Sequence, residues 1–191
     1  AASEPGRLVT NGMSRWARDE KNANSALLVG VSSADFESTH PLAGMWFQRR
    51  WEEAAFHLGG GDCRAPAQRV GDFLKGKASD SFGTAPSYQP GVVPADLSGC
   101  LPPYAVESMR QGILLMDRRL RGFAHTDAVL TGVETRSSSP VRLTRGADGQ
   151  SVTLGGLYPC GEGAGYAGGI VSAAVDGIRS AEAVLTSPKE G

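Results

Sequence analysis

Gly155 to Leu185 reads GGLYPCGEGAGYAGGIVSAAVDGIRSAEAVL, and this stretch decides how the chain is to be understood. Leu157 to Cys160 (LYPC) has the character of a short strand. A glycine-rich loop follows. From Gly168 to Leu185 the residues Ile170, Ala174, Ile178, Ala181 and Leu185 recur on one side of a helix. Gly163, Gly165 and Gly168 match the spacing GxGxxG. As a dinucleotide fingerprint that spacing needs a further strand after the helix and an acidic residue about 20 positions on. Only residues 186 to 191 follow Leu185, so the expectation is that the βαβ unit is not completed here.

Upstream of this segment the pattern alternates between short strands and helices. Ala128 to Thr135, Val141 to Leu143 and Ser151 to Leu154 read as strand pieces. The turn Gly146 to Gly149 (GADG) joins the last two as a hairpin. A helix is expected from about Pro102 to Leu120, with Val106, Met109, Ile113, Met116 and Leu120 as its apolar seam. Arg118, Arg119 and Arg121 crowd its C-terminal end, where the helix dipole favours cations. Gly76 to Pro103 reads as a long ordered loop, because Val92, Val93, Leu97 and Leu101 give it something to bury. Gln68 to Leu74 has room for a short helical turn. Leu42 to Leu58 is a helix with Phe47, Trp51, Ala54, Ala55 and Leu58 on one stripe, stopped by Gly59 to Gly61. Ala26 to Val31 (ALLVGV) is expected as a buried strand, and Arg7 to Met13 as a short strand ending in an Asn-Gly turn.

The bulk composition excludes several classes. The chain has 191 residues, 19 basic and 20 acidic, for a net charge of −1. No basic excess points to nucleic acid or to an anionic membrane surface. No apolar run reaches the roughly 18 residues of a membrane span. Cys63, Cys100 and Cys160 are an odd set without CxxC spacing. They argue against a disulfide framework and against a zinc site, so no metal is expected. A reducing compartment suits them, the cytoplasm or, in a photosynthetic eukaryote, the plastid stroma. Glycine is the outlier, with 26 residues in all, and the excess clusters at Gly59 to Gly61 and in Gly155 to Gly169. Glycine at that density means tight turns and close backbone approach.

The local order around Gly161 carries a resemblance. Gly161-Glu162 follows a strand, a loop of small residues comes next, and Gly168-Gly169-Ile170 opens a helix. This resembles the C-terminal segment with which flavoproteins of the glutathione-reductase type close their FAD site. The resemblance implies that Glu162 accepts a hydrogen bond from a ribityl hydroxyl. It also implies that backbone N–H groups at the helix start face the flavin pyrimidine edge, where reduced flavin is anionic. TNGMSRWARDEKNANSALLV (Thr10 to Val29), HPLAGMWFQRRWE (His40 to Glu52), GGGDCRAPAQRVGDFL (Gly59 to Leu74) and TGVETRSSSPVRL (Thr131 to Leu143) resemble the same source. That source is a family of FAD-dependent dehydrogenases, or NAD(P)/FAD-dependent oxidoreductases, found in bacteria and plastid-bearing eukaryotes.

The resemblance implies an α/β (α+β) fold. A substrate domain with a mixed sheet and two main helices would occupy residues 1–154. Residues 155–191 would be the return segment of the FAD-binding domain. The cofactor-binding residues are then Gly161, Glu162, Gly163, Gly168, Gly169 and Ile170. Family members begin with a Rossmann unit that holds the ADP half of FAD, and no such unit lies in this sequence. The expected partner is that missing N-terminal FAD-binding half. The chain alone is expected to hold FAD weakly or not at all and to be inactive by itself. The competing reading is a non-catalytic substrate-binding or interaction domain that has lost its cofactor.

Two further residues are substrate candidates. Arg136 stands among Ser137, Ser138, Ser139 and Arg142, a set suited to a carboxylate or phosphate, although a polar hairpin edge would look the same. Asn11 ends the first expected strand beside Gly12, where a simple turn is the alternative. Cys160 has no partner cysteine nearby and is expected as a small buried apolar residue rather than a redox thiol. His40, His57 and His125 lack ligand spacing, and no GxSxG or HExxH occurs. No catalytic residue, substrate or electron partner is identified by these patterns.

Overall fold

In the computed structural model, residues 3–12 and 14–187 are described. The fold is α+β, mixed helices with one small sheet. By compactness it divides into a first unit, Ala1–Asp35 with Phe47–Thr135, and a second, Phe36–Trp46 with Arg136–Gly191.

The first unit is organised around one buried strand. Strand β1 (Ala65–Arg69) lies between β2 (Val92–Pro94), to which it is parallel, and β3 (Val129–Thr131), to which it is antiparallel. Ala65 pairs with Val92, and Gln68 with Leu130. The sequence APAQR carries little strand propensity, and its pattern did not announce a strand. Burial explains it, because Ala65, Ala67 and Gln68 are all fully buried. Gln68 satisfies its amide inside, donating from Nε2 to the Lys77 carbonyl at 2.8 Å and accepting at Oε1 from the Leu97 N–H at 2.9 Å. One side chain thus ties the central strand to two flanking loops.

Helix α1 (Ala43–Leu58), helix α2 (Val70–Lys75), which follows directly from β1, and helix α3 (Pro103–Asp117) complete the main elements up to β3. The core gathers Leu8, Ala55, Val70, Phe73, Leu97, Cys100, Val106 and Ile113. Arg110 of α3 donates from Nε to the Phe73 carbonyl at 2.8 Å and lies over the Phe73 ring. Glu52 is fully buried on α1, and its Oε1 accepts from the Thr135 hydroxyl at 2.7 Å. Helix α3 stops three residues earlier than its apolar pattern predicts. The Asp117 carboxylate accepts the N–H groups of Gly122 and Ala124, both at 2.9 Å, and turns the chain.

Several expected strands are absent among the described residues. Residues 26–31 form no strand, and Leu28 and Val31 are exposed. Apolar character without a pairing edge was insufficient there. Residues 7–12 are extended and buried at Leu8, Val9 and Thr10, but they dock by single bonds, Leu8 N–H to the Glu52 carbonyl and Thr10 N–H to the Val133 carbonyl. Met13, the end of that expected strand, lies outside the described residues.

In the second unit the expected hairpin reduces to a single antiparallel bridge, Arg145 with Ser151. Leu157 to Cys160 is irregular rather than a strand. Helix α4 (Ile170–Thr186) forms as expected, and its apolar side is not the buried one. Its buried residues are Asp176 and Ser180, whereas Ile170 (92% exposed), Ile178 (62%) and Leu185 (84%) face outward. The apolar stripe is therefore not a core stripe within this chain.

Candidate functional site

The loop between Pro159 and α4 is built by hydrogen bonds rather than by apolar packing. The Tyr166 N–H donates to the Gly161 carbonyl at 3.1 Å and the Gly165 N–H to the Glu162 carbonyl at 2.9 Å, which closes residues 161–166 on themselves. The preceding segment holds this turn from one side. The Leu143 N–H donates to the Ala164 carbonyl at 3.2 Å, and the Ser139 hydroxyl to the Gly163 carbonyl at 3.1 Å. Gly165 has φ +81°, and a Cβ there would lie 2.6 Å from the Val141 carbonyl oxygen. Only glycine fits that position.

Arg145 and Asp176 fasten the loop to α4. Arg145 Nη2 donates to Asp176 Oδ1 at 2.6 Å and Nη1 to Oδ2 at 3.0 Å, a two-pronged pair. The Gly161 N–H donates to the same Oδ2 at 2.8 Å. Arg145 Nη1 also reaches the Pro159 carbonyl at 2.7 Å. These donors, Arg145 first and the Gly161 amide second, hold the Asp176 carboxyl down to about 2, below its ordinary 3.8. Tyr166 carries both the Arg145 and the Arg142 guanidinium against its ring, at 3.8 and 4.3 Å from the centroid. Its hydroxyl accepts from the Arg145 N–H at 2.9 Å. Burial raises the Tyr166 phenol, but the donors and charges of Arg142 and Arg145 outweigh it, and the net direction is down.

The six expected cofactor residues lie together on this loop and the start of α4. Glu162, Gly163, Gly168 and Ile170 are exposed, and Gly161 and Gly169 are half-buried. A Cβ added at Gly161, Gly163 or Gly168 would meet nothing of the chain within 4 Å. The left-handed backbone of Gly161, with φ +72°, calls for glycine there, but nothing inside this chain explains Gly163 or Gly168. Gly169 precedes α4 without a side-chain cap, so the first N–H groups of the helix are left open. An exposed carboxylate, glycines with open faces and an uncapped helix start suit an elongated polyol joined to a ring that takes up negative charge. These residues fit a flavin.

Of the two substrate candidates, Arg136 shares the compact unit of that loop and Asn11 does not. Asn11 belongs to the first unit, where it lines a cavity of about 690 Å³ with Leu8, Ser14, Phe56, Cys63 and Tyr88. Sequence reasoning missed the rest of that cavity, because its walls come from three distant stretches. Arg136 is exposed at the first position of the long stretch of the second unit. Cys160 is exposed, contrary to the buried role expected of it, and Cys100 is the buried thiol, pushed up to about 12 by burial first and by Asp96 second. Among the described residues no cluster of three His, Cys, Asp or Glu could hold a metal, and no helix is long and apolar enough to cross a membrane.

Comparison with known proteins adds two findings. The family described as "FAD-dependent protein, C-terminal domain-like" matches residues 1–137. An uncharacterized protein of Clostridium beijerinckii is 56% identical over 186 residues, covering 97% of this chain. The chain spans 35% of the length of that relative.

Proposed function

Because the chain belongs to the FAD-dependent protein, C-terminal domain-like family, we propose that it serves an FAD-dependent oxidoreductase, a dehydrogenase, by supplying the ribityl and isoalloxazine side of its flavin site. The observation that carries this reading is the uncapped start of α4 beside a glycine loop whose open faces the chain itself does not fill. On this reading residues 1–154 are the substrate domain and 155–191 the return segment of the FAD domain. Bound flavin supplies the electron transfer.

The chain's residues bind and orient. Glu162 accepts a ribityl hydroxyl. Gly161, Gly163 and Gly168 let backbone come close. N–H groups at Gly169 and Ile170 face the ring edge that becomes anionic on reduction. Asn11 and Arg136 are the substrate-side candidates. The partner is a dinucleotide-binding half that holds the ADP moiety, and the outward face of α4, with Ile170, Val171, Ile178 and Leu185, is suited to pack against it. The relative's greater length leaves room for such a half. The free thiols suit a cytoplasmic setting.

FAD titration of the longer protein tests the proposal. Glu162→Ala should weaken FAD about ten- to a hundredfold, as loss of a charge-assisted hydrogen bond does. Gly169→Val should obstruct the ring sterically without unfolding the chain, since its extended backbone admits any residue. The 191-residue chain alone should bind FAD weakly or not at all. An FAD affinity unchanged in both variants would overturn this assignment of the loop, and a longer protein that binds no FAD would favour the rival reading, an interaction domain that has lost its cofactor.

A further inference from the structure

We propose that Arg145 and Asp176 are positioning residues that set the 161–166 loop in its cofactor-receiving shape before the cofactor arrives. The inference rests on the reading of Gly161 to Ile170 as a flavin contact. A loop of sequence GEGAGY loses more conformational freedom on ordering than almost any other, because glycine has the most to lose. Either the cofactor orders it on binding, or the fold has already done so. The bonds favour the fold.

Arg145 stands at the centre of them. Its side chain reaches the chain two residues before the loop at the Pro159 carbonyl, and the helix after the loop at Asp176. Its backbone N–H reaches the end of the turn at the Tyr166 hydroxyl. Asp176 uses its remaining lone pair on the Gly161 amide, the first residue of the loop. Entry and helix are therefore held together by one pair of side chains, and the exit is held by the Arg145 backbone N–H with the guanidinium over the Tyr166 ring. Neither side chain belongs to the contact surface formed by Glu162 and the open glycines.

General stabilisation is the competing account, and it is the weaker one. A largely buried ion pair is often no more stabilising than apolar residues of the same volume. What such a pair adds is direction, a fixed distance and angle between the groups it joins. Here it joins the loop to the helix whose start completes the proposed site. If the fold keeps the loop in its receiving shape, loosening the pair lowers the competent fraction, and the apparent dissociation constant rises in proportion.

The test uses the longer protein, freed of flavin and then reloaded, with Asp176→Ala, Asp176→Asn and Arg145→Lys. Asp72→Asn, which loosens the Arg69–Asp72 pair of the first unit, is the control for general stability loss. The dissociation constant and association rate of FAD are measured well below each variant's melting temperature, with the absorption spectrum of the bound flavin. Asp176→Ala should weaken FAD at least about tenfold and slow its association, while the bound spectrum stays that of wild type. Arg145→Lys, which keeps the charge and loses the two-pronged geometry, should fall between. Asp72→Asn should leave both constants in place. A folded Asp176→Ala or Arg145→Lys protein that binds FAD as wild type does overturns the inference and leaves the flavin assignment standing. A longer wild-type protein that binds no FAD overturns both.

Discussion

Asp176 keeps its charge to unusually low pH because three donors are already arranged around it, two from Arg145 and one from Gly161. Its folded pKa of about 2 is depressed from 3.8. A depressed carboxyl contributes stability above its unfolded pKa and loses it as pH falls through the folded value. The contribution of the pair should therefore be complete above pH 3.8 and vanish as the pH falls toward about 2. Asp72, lowered by the Ser79 hydroxyl first and Arg69 second, acts in the same direction in the first unit. Thermal midpoints measured between about pH 5 and pH 2 should fall less steeply in Asp176→Asn than in wild type. An identical slope in the two proteins would mean that the pair does not contribute. Two glycines of the same loop make a second contrast. Gly165→Ala forces a Cβ onto the Val141 carbonyl at positive φ and should cost at least about 1 kcal/mol. Gly163→Ala meets open space and should leave the melting temperature in place, so that any loss of flavin affinity belongs to the cofactor surface.

Helices were far more legible in the sequence than strands. The helical spacing of Phe47, Trp51, Ala54 and Leu58 and of Val106, Met109 and Ile113 locates α1 and α3 to within a few residues, because a 3.6-residue period over many positions is a strong signal. Strand β1 was hidden. Its burial comes from partners at Val92 and Val129 that lie far away in sequence, and its own residues are Ala, Pro and Gln. The candidate loop was legible as a glycine cluster, but the pair that holds it was not. Arg145 and Asp176 are separated by 31 positions, and nothing local marks either of them. The period of α4 was also legible, but not where its apolar face points, since periodicity locates such a face without saying what covers it. This bears on substitution. Ile178→Glu should change the melting temperature of the 191-residue chain by no more than about 0.5 kcal/mol in equivalent stability, as exposed positions do. In the longer protein the same change should lower both stability and flavin content. A large loss in the chain alone would place that face in its own core.

At the scale of the molecule, the family match over residues 1–137 ends close to where the first compact unit ends, at Thr135. The family assignment thus rests on the unit with the sheet and the larger core, whereas the proposed flavin contacts lie in the other. The outward stripe of α4 has a further consequence, a colloidal one. With a net charge of −1 and an isoelectric point near 6.4, the chain has little electrostatic repulsion at neutral pH to keep copies apart. Exposed isoleucine, valine and leucine along 17 residues of helix then act as adhesive patches. A preparation of this chain alone should scatter light increasingly as its concentration rises near pH 6.4. It should clear when the pH is moved up by about two units, or when Ile178 and Leu185 are both replaced by glutamate.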